Sequence, residues 1–202
     1  MSFAQILFEP GDRIRHVYFP TSSFISLLTP TEHSPRLEVG LVGDEGVLGA
    51  SLVLGVDQMP LQALVQGSGT ALRITAAAFR RELGQSLALQ QKLKRYIYVT
   101  MTQLAQSAGC TRFHVVEARL ARWLLMTQDR AHSDHFYVTH EFLAYMLGVR
   151  RVGVTTAAMT LQNHQLIRYS RGKVVVLNRR GLEEASCGCY GADKATYVQL
   201  MG

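Results

Sequence analysis

The stretch of sequence that decides the fold runs from residue 139 to residue 167 and reads THEFLAYMLGVRRVGVTTAAMTLQNHQLI. Two helices joined by a tight turn need a small residue where they cross, a glycine with positive φ in the turn, and a branched apolar residue that holds the second helix in place. Ala144, Gly148 and Val154 meet these requirements with the spacing Ala-x3-Gly-x5-Val. This spacing predicts a helix-turn-helix, although a helical hairpin with only a structural role fits the same pattern.

The residues after this stretch favour the DNA-binding interpretation. Residues 166–177 read LIRYSRGKVVVL, which predicts a β-hairpin with Arg171 and Gly172 at its tip, and hence a winged helix. From Gly148 to Gly181 there is no Asp or Glu. The same span carries seven cations, which are Arg150, Arg151, Arg168, Arg171, Lys173, Arg179 and Arg180. A basic surface without carboxylates is typical of contact with phosphate, and a solvated basic face is the alternative.

The chemistry of double-stranded DNA assigns roles to individual residues. We expect the second helix to enter the major groove, where Arg151 pairs with guanine. The residues expected to reach base edges are Arg151, Val152, Thr155 and Thr156. The residues expected to contact phosphates, which position the protein without reading sequence, are Arg150, Thr139, Arg171 and Lys173.

The N-terminal part of the chain has a different residue pattern. Five short apolar segments separated by Gly and Pro are candidate strands, at residues 16–19, 23–28, 37–41, 61–66 and 70–74. Regularly spaced short strands predict an antiparallel sandwich or barrel over residues 1–75.

A long helix is predicted for residues 76–109, ending where Gly109-Cys110 interrupts it. Its apolar seam at alternating steps of four and three residues consists of Leu93, Ile97, Thr100 and Leu104. Such a seam is typical of a coiled-coil dimer helix, and periodicity alone leaves an ordinary core-facing helix equally open. A second helix is expected at residues 115–127, within a DNA-binding domain over residues 110–186, and residues 187–202 are expected to be a tail.

The order of these segments resembles the Crp/Fnr family of bacterial transcription regulators over nearly the whole chain. Outside the helix-turn-helix, the resemblance rests on FEPGD at residues 8–12, YFP at residues 18–20, GDEG at residues 43–46 and ARLARWLL at residues 118–125. It implies an α+β protein with an N-terminal double-stranded β-helix (jelly-roll-like), a long dimerisation helix and a C-terminal winged helix-turn-helix. It also implies a homodimer that reads a near-palindromic site, with RNA polymerase as a further partner.

Two departures from the family narrow this expectation. Members typically carry Arg, Glu and a second Arg on the recognition helix, where this chain has Arg151, Val152 and Thr156, so we expect a different half-site. Nucleotide-binding members hold the cyclic phosphate with an arginine in a cassette that here spans residues 43–66, which contain no Arg or Lys. We therefore expect no response to cAMP and leave the effector unknown. The resemblance implies that the candidate effector pocket lies at the glycine-rich start of this cassette, at Gly43, Glu45, Gly46 and Gly49.

Other cofactors and activities are not expected. The three cysteines, Cys110, Cys187 and Cys189, are too few for a four-cysteine iron–sulfur cluster. Cys187-Gly188-Cys189 has only Cys110 and distant histidines to complete a metal site, so packing or a reactive tail is the simpler interpretation. Haem ligation by a His or Cys stays open, although His16 and His33 fit surface positions. A cupin-like enzyme would need a metal cluster denser than His16, His33 and Glu38, and no base-activated nucleophile is visible.

The composition is that of a folded protein with anionic partners. Of the 202 residues, 48% are hydrophobic and 18% charged, with a formal net charge of +6. A positive balance favours nucleic acid or an anionic surface. An odd, small number of cysteines and the lack of a long apolar run or a signal-like start predict a cytoplasmic protein without a membrane span. The alternative function is a regulatory ligand-binding module whose winged helix contacts proteins.

Overall fold

The computed structural model describes residues 1–29 and 37–202. The N-terminal domain is built from six strands: β1 (Ile6–Phe8), β2 (His16–Pro20), β3 (Phe24–Thr29), β4 (Leu37–Val42), β5 (Gln62–Gly67) and β6 (Ala71–Thr75). They form a four-stranded sheet in the order β1-β5-β3-β4 and a two-stranded sheet of β2 and β6, all antiparallel. The five predicted strands are confirmed, and His33 lies outside the described residues.

The two sheets close on an apolar core. Val17, Ile25 and Ala63 are fully buried in it. Alternate residues of a strand point to the same side of a sheet, and these three point toward the core. A short 3₁₀ helix, Ala50–Leu54, lies between left-handed Gly49 and Gly55 and separates β4 from β5. This arrangement fits the predicted double-stranded β-helix.

The prediction of a single helix over residues 76–109 is wrong in two respects: the helix is interrupted, and it continues beyond residue 109. The structure has two helices, α1 (Ala76–Gln85) and α2 (Leu87–Phe113). Ser86 is extended between them, and its hydroxyl accepts a hydrogen bond from the Leu89 amide, so it caps α2. Gly109 does not break α2, since an interior glycine costs only about 1 kcal/mol and the neighbouring Cys110 is buried.

The C-terminal domain begins directly after α2. Its elements are α3 (Val116–Ala131), β7 (His135–Tyr137), α4 (His140–Leu147), α5 (Arg151–Asn163), β8 (Ile167–Ser170), β9 (Lys173–Val176) and α6 (Arg179–Ala185). The strands form a sheet in the order β7-β9-β8. Leu124, Leu143, Val154 and Leu161 are fully buried where α3, α4 and α5 meet. The architecture is therefore a winged helix-turn-helix, as predicted.

The last segment is a helix rather than a tail. Residues 189–201 form α7 (Cys189–Met201), which packs along α2. Tyr190 and Met201 are buried, and Met201 reaches the core of the N-terminal domain. Buried residues at both ends therefore fasten α7 to the rest of the chain. Of the helices described, none is long and apolar enough to cross a membrane.

Candidate nucleic-acid interface

The helix-turn-helix has the geometry that its three marker residues predict. Gly148 adopts φ 60° and ψ 42°, and its amide donates to the carbonyls at the end of α4. Val154 is fully buried, and Ala144 lies at the crossing with 9% of its surface exposed. Thr139 caps α4 by accepting a hydrogen bond from the Phe142 amide at 3.1 Å. The predicted turn is therefore confirmed, and Thr139 has a structural role as the cap.

The wing ends in a two-residue turn. Arg171 (φ 49°) and Gly172 (φ 82°) are both left-handed, which is the conformation of a type I′ hairpin turn. A Cβ atom on Gly172 would lie 2.6 Å from the ring of Tyr137, so a side chain does not fit there. Arg171 and Lys173, on either side of this glycine, are both exposed.

The recognition helix α5 exposes most of the predicted base-reading residues on its first two turns. Arg150 precedes the helix as its N-cap residue, and Arg151 and Thr156 are exposed. Val152 is 68% exposed, so its methyl groups are accessible to a partner such as a thymine methyl group. Met159, 58% exposed and seven residues further along the same face, was missed by the sequence analysis, although its spacing from Val152 signals it.

Thr155 differs from the other base-reading candidates because it is half-buried at a junction of α4, α5 and the wing. Its Oγ1 lies 3.0 Å from His140 Nδ1, and the His140 ring stacks on Tyr169 with 4.5 Å between ring centroids. The Tyr169 hydroxyl donates to the Val138 carbonyl at 2.7 Å. Burial, and then the charge of Arg151, lower the pKa of His140, which favours the neutral ring. Thr155 thus helps to hold the recognition helix in place.

The cations that the sequence grouped together separate into two sets. Arg179 pairs with Asp129 at 2.7 Å, and Arg180 pairs with Glu184 at 3.3 Å. The remaining five have no ion pair within the described ranges 1–29 and 37–202, and they are Arg150, Arg151, Arg168, Arg171 and Lys173. These five cations belong to α5, its N-cap and the wing. We call this set, together with Val152 and Thr156, the recognition face.

The predicted effector residues occupy two different places. Glu45 accepts from Arg130 of α3 at 2.6 Å, and a Cβ atom on Gly43 would lie 2.8 Å from the same arginine. These two residues therefore face the C-terminal domain. Gly46 lies against the Tyr96 hydroxyl, and Gly49 lines a cavity of about 270 Å³ between the β domain and α2. All the described residues that line this cavity are uncharged.

A buried carboxylate reinforces the contact between the two domains. Glu38 of β4 accepts a hydrogen bond from the indole N–H of Trp123 at 2.8 Å. Burial raises the pKa of Glu38 to about 7, although hydrogen bonds from Ser26 and Trp123 oppose the shift. Glu38 is thus an interdomain residue. His16 lies near Tyr18, with 6.3 Å between ring centroids, and neither His16 nor Glu38 belongs to a potential metal cluster among the described residues.

The structure changes which of the predicted dimer-contact residues of α2 are available to a partner chain. Leu93 is 6% exposed and packs into the core of its own β domain, together with Tyr96 and Val99. Leu93 is therefore already covered. Ile97 and Leu104 are half-buried and line the cavity at Gly49. Tyr98 and Met101, in the middle of α2, are exposed. Thr100 is half-buried, and its hydroxyl donates to the Tyr96 carbonyl at 3.0 Å.

Comparison with known proteins identifies the domain and the fold. Residues 118–185 match the Crp-like helix-turn-helix domain family. FixK2 from Bradyrhizobium japonicum has a similar structure, with a TM-score of 0.77 at 13% identity over 92% of this chain and 94% of that one. The CRP-family regulator TTHB099 from Thermus thermophilus gives 0.76 at 16% identity, over 92% and 95%. TTHA1359, a CRP/FNR-family regulator from the same organism, gives 0.67 at 19% identity, over 92% and 96%.

The sequence finds no match among curated proteins. The domain match and the structural matches together show that this chain carries a Crp-like helix-turn-helix domain within the fold of the Crp/Fnr regulators.

Proposed function

We propose that this protein is a sequence-specific transcription regulator of the Crp/Fnr type, which binds a near-palindromic DNA operator as a homodimer. The observation that carries the proposal is the recognition face, where five cations without a carboxylate partner among the described residues surround the first turns of α5 and the wing. A group of exposed cations creates a positive potential that attracts a polyanion, and the phosphate backbone of DNA is such a polyanion.

The division of labour on this face follows from exposure. Arg151, Val152 and Thr156 lie exposed at the start of α5, the part of a recognition helix that reaches base edges. Arg151 reads guanine, and Val152 and Thr156 contact neighbouring bases. Thr155 adds to the reading mainly by fixing the pose of the helix. Arg150, Thr139, Arg171 and Lys173 contact phosphates, and Arg168 of β8 joins them.

A homodimer places two copies of this face on one side of the DNA. The exposed apolar residues of α2, chiefly Tyr98 and Met101, supply the contact between the two chains. Two recognition helices about 34 Å apart would then read half-sites one DNA turn apart. Met101→Glu should convert the dimer to a monomer in sedimentation analysis, whereas Tyr137→Glu on the far domain should leave it dimeric.

The effector of this regulator is not a cyclic nucleotide. The cavity at Gly49 has uncharged walls, and a buried phosphate without a cation binds poorly. The buried Ser51 hydroxyl on this cavity makes no hydrogen bond among the described residues, so a small, largely apolar molecule with one polar group fits it better. The protein acts in the cytoplasm with RNA polymerase and performs no catalysis.

The experiment that tests the proposal is enrichment of bound sequences from a pool of random duplexes. We expect a two-fold symmetric site, and Arg151→Ala should relax its guanine position while Arg180→Ala, which removes a paired cation, leaves the site unchanged. Absence of an enriched site for wild type and variants alike would contradict the proposal. It would favour a module whose winged helix contacts proteins.

A further inference from the structure

Four side chains with metal-binding chemistry meet where α2 ends. Cys110 and His114 come from the last turn of α2, and Cys187 and Cys189 flank the link between α6 and α7. The three Sγ atoms and one ring nitrogen all lie within 4.8 Å of one another. We call these four residues the cysteine cluster. It lies outside the recognition face and outside the cavity at Gly49.

The separations within the cluster match a single tetrahedral ion. Cys110 Sγ lies 3.4 Å from Cys187 Sγ, and His114 Nδ1 lies 3.5 Å from Cys189 Sγ. With metal–sulfur bonds of about 2.3 Å, a tetrahedral zinc site separates its sulfur ligands by about 3.8 Å. A cubane iron–sulfur cluster spreads its ligands further apart, because each ligand binds a different iron atom.

Local sequence explains how the ligands come to one point. Cys110 and His114 are four residues apart, so they share a face of α2, and His114 is the residue at which that helix ends. Gly188 separates the other two cysteines and begins α7, which allows both sulfurs to turn toward α2. The three cysteines are buried, whereas His114 is exposed, so an ion has a route from the solvent.

Polar and cationic side chains surround the sulfur atoms of the cluster. The Gln106 amide donates to Cys189 Sγ at 2.9 Å. The guanidinium groups of Arg119 and Arg122 interact electrostatically with Cys110. Arg122 is in turn held by Asp193 of α7 at 2.6 Å. Such second contacts to the ligands are typical of metal sites in which the protein fixes ligand orientation and balances charge.

We propose that Cys110, His114, Cys187 and Cys189 bind one zinc ion in a Cys₃His site that fastens the C-terminal helix to the end of α2. Three thiolates, a neutral imidazole and closed coordination are the donor set of structural zinc. The site lies beside the joint between α2 and α3, which begins two residues after His114. Zinc therefore fixes the angle at which the DNA-binding domain leaves the dimer helix. The sequence pattern predicted no metal site because His114, four residues after Cys110, was not counted among the ligands.

The test is the metal content of the full-length protein, purified under reducing conditions and dialysed free of loosely bound ions. We expect about one zinc ion per chain in the wild type. The Cys187→Ser/Cys189→Ser variant should hold at least about tenfold less. His114→Ala should lose zinc to a chelator faster than wild type, and the matched control His164→Ala, which removes an exposed histidine outside the cluster, should behave as wild type.

Cobalt gives an independent readout that does not depend on folding of the double variant. Wild-type protein loaded with Co²⁺ should show the absorption bands of tetrahedral thiolate coordination, and His114→Ala should shift them. Folded wild-type protein without stoichiometric zinc, iron in place of zinc, or a Cys110–Cys187 disulfide would each overturn the proposal.

The consequence for DNA binding rests on the proposed function, whereas the metal content does not. Removal of zinc should weaken operator binding at least about tenfold and leave the selected sequence unchanged, because the bases are read by α5 and not by the site. Stoichiometric zinc in a protein that binds no DNA would uphold the metal site and contradict only the proposed function.

Discussion

The arginines on the recognition face and the buried arginines of α3 are the same residue type in opposite circumstances. Arg150 and Arg151 stand exposed without an ion pair among the described residues, whereas Arg122 and Arg130 each hold a carboxylate at 2.6 Å. The paired arginines are also buried, with about a tenth of each side chain exposed. Paired arginines fix how parts of the chain sit together, and unpaired ones are available to a partner. Counting cations along the sequence does not separate the two.

The largest effect on stability is expected from Asp193→Ala, which removes the ion-pair partner of Arg122. It leaves the buried Arg122 guanidinium without its carboxylate, which we expect to lower the free energy of unfolding by about 3–5 kcal/mol. Urea unfolding followed by circular dichroism measures this change. Glu184→Ala is the matched control, since it removes an exposed partner of Arg180 and should cost less than about 0.5 kcal/mol. Equal losses in the two variants would mean that burial does not distinguish the pairs.

Glu38, at the contact between the two domains, should make the free energy of unfolding depend on pH. Its pKa rises from an ordinary 4.5 to about 7 in the folded protein, so the folded state holds a proton that the unfolded state has lost. Stability must therefore fall as pH rises through this window, by up to about 3 kcal/mol once pH exceeds 7.

Glu38→Gln removes this titration. Unfolding measured from pH 5 to pH 8.5 should show a variant that is more stable than wild type at the alkaline end and similar to it at the acid end. Glu184→Gln, at an exposed site, should follow the wild-type curve. A Glu38→Gln curve parallel to that of wild type would show that Glu38 does not titrate in this range.

Arg151→Ala removes one of the unpaired cations of the recognition face, the one expected to read a base. Loss of a bidentate contact to guanine should weaken binding to the selected operator by about 1–3 kcal/mol and relax specificity at one position of each half-site. Fluorescence anisotropy with the operator and with single-base variants measures both effects. A uniform loss on every sequence would instead assign Arg151 to phosphate contact.

Lys173→Ala should have the smallest effect and a different character. As a phosphate contact on the wing, Lys173 adds affinity for any duplex, so its loss should weaken all sequences alike and lower the salt slope by about one. Titrations at several salt concentrations provide the slope. A change confined to particular base substitutions would place Lys173 among the base-reading residues.

Local patterns in the sequence predicted local structure. Ala144, Gly148 and Val154 predicted the helix-turn-helix because the geometry of a tight turn depends on residues only ten positions apart. The five strands followed from the Gly and Pro residues that separate them. By contrast, Gly109 misled the helix prediction, since the packing of α7 along α2 keeps the helix intact through that residue.

Contacts between distant parts of the chain could not be predicted in this way. Glu45 and Arg130 are 85 residues apart in sequence, and nothing near either residue signals the other. Arg179 was grouped with the DNA-facing cations because its partner Asp129 is decided by how α3 and α6 pack. For Arg180 a local signal existed, since its partner Glu184 lies four residues later on the same helix. His114 was passed over for the same reason as Arg179, since Cys187 and Cys189 reach it only through the fold.

The most direct test of the central claim is the salt dependence of binding to the selected operator for the wild type, for Lys173→Ala and for Arg180→Ala. If unpaired cations meet the DNA and paired ones do not, wild-type affinity falls steeply with salt, Lys173→Ala lowers the slope by about one, and Arg180→Ala leaves it unchanged. A flat wild-type response, or equal slopes for Lys173→Ala and wild type with a reduced slope for Arg180→Ala, would contradict the account.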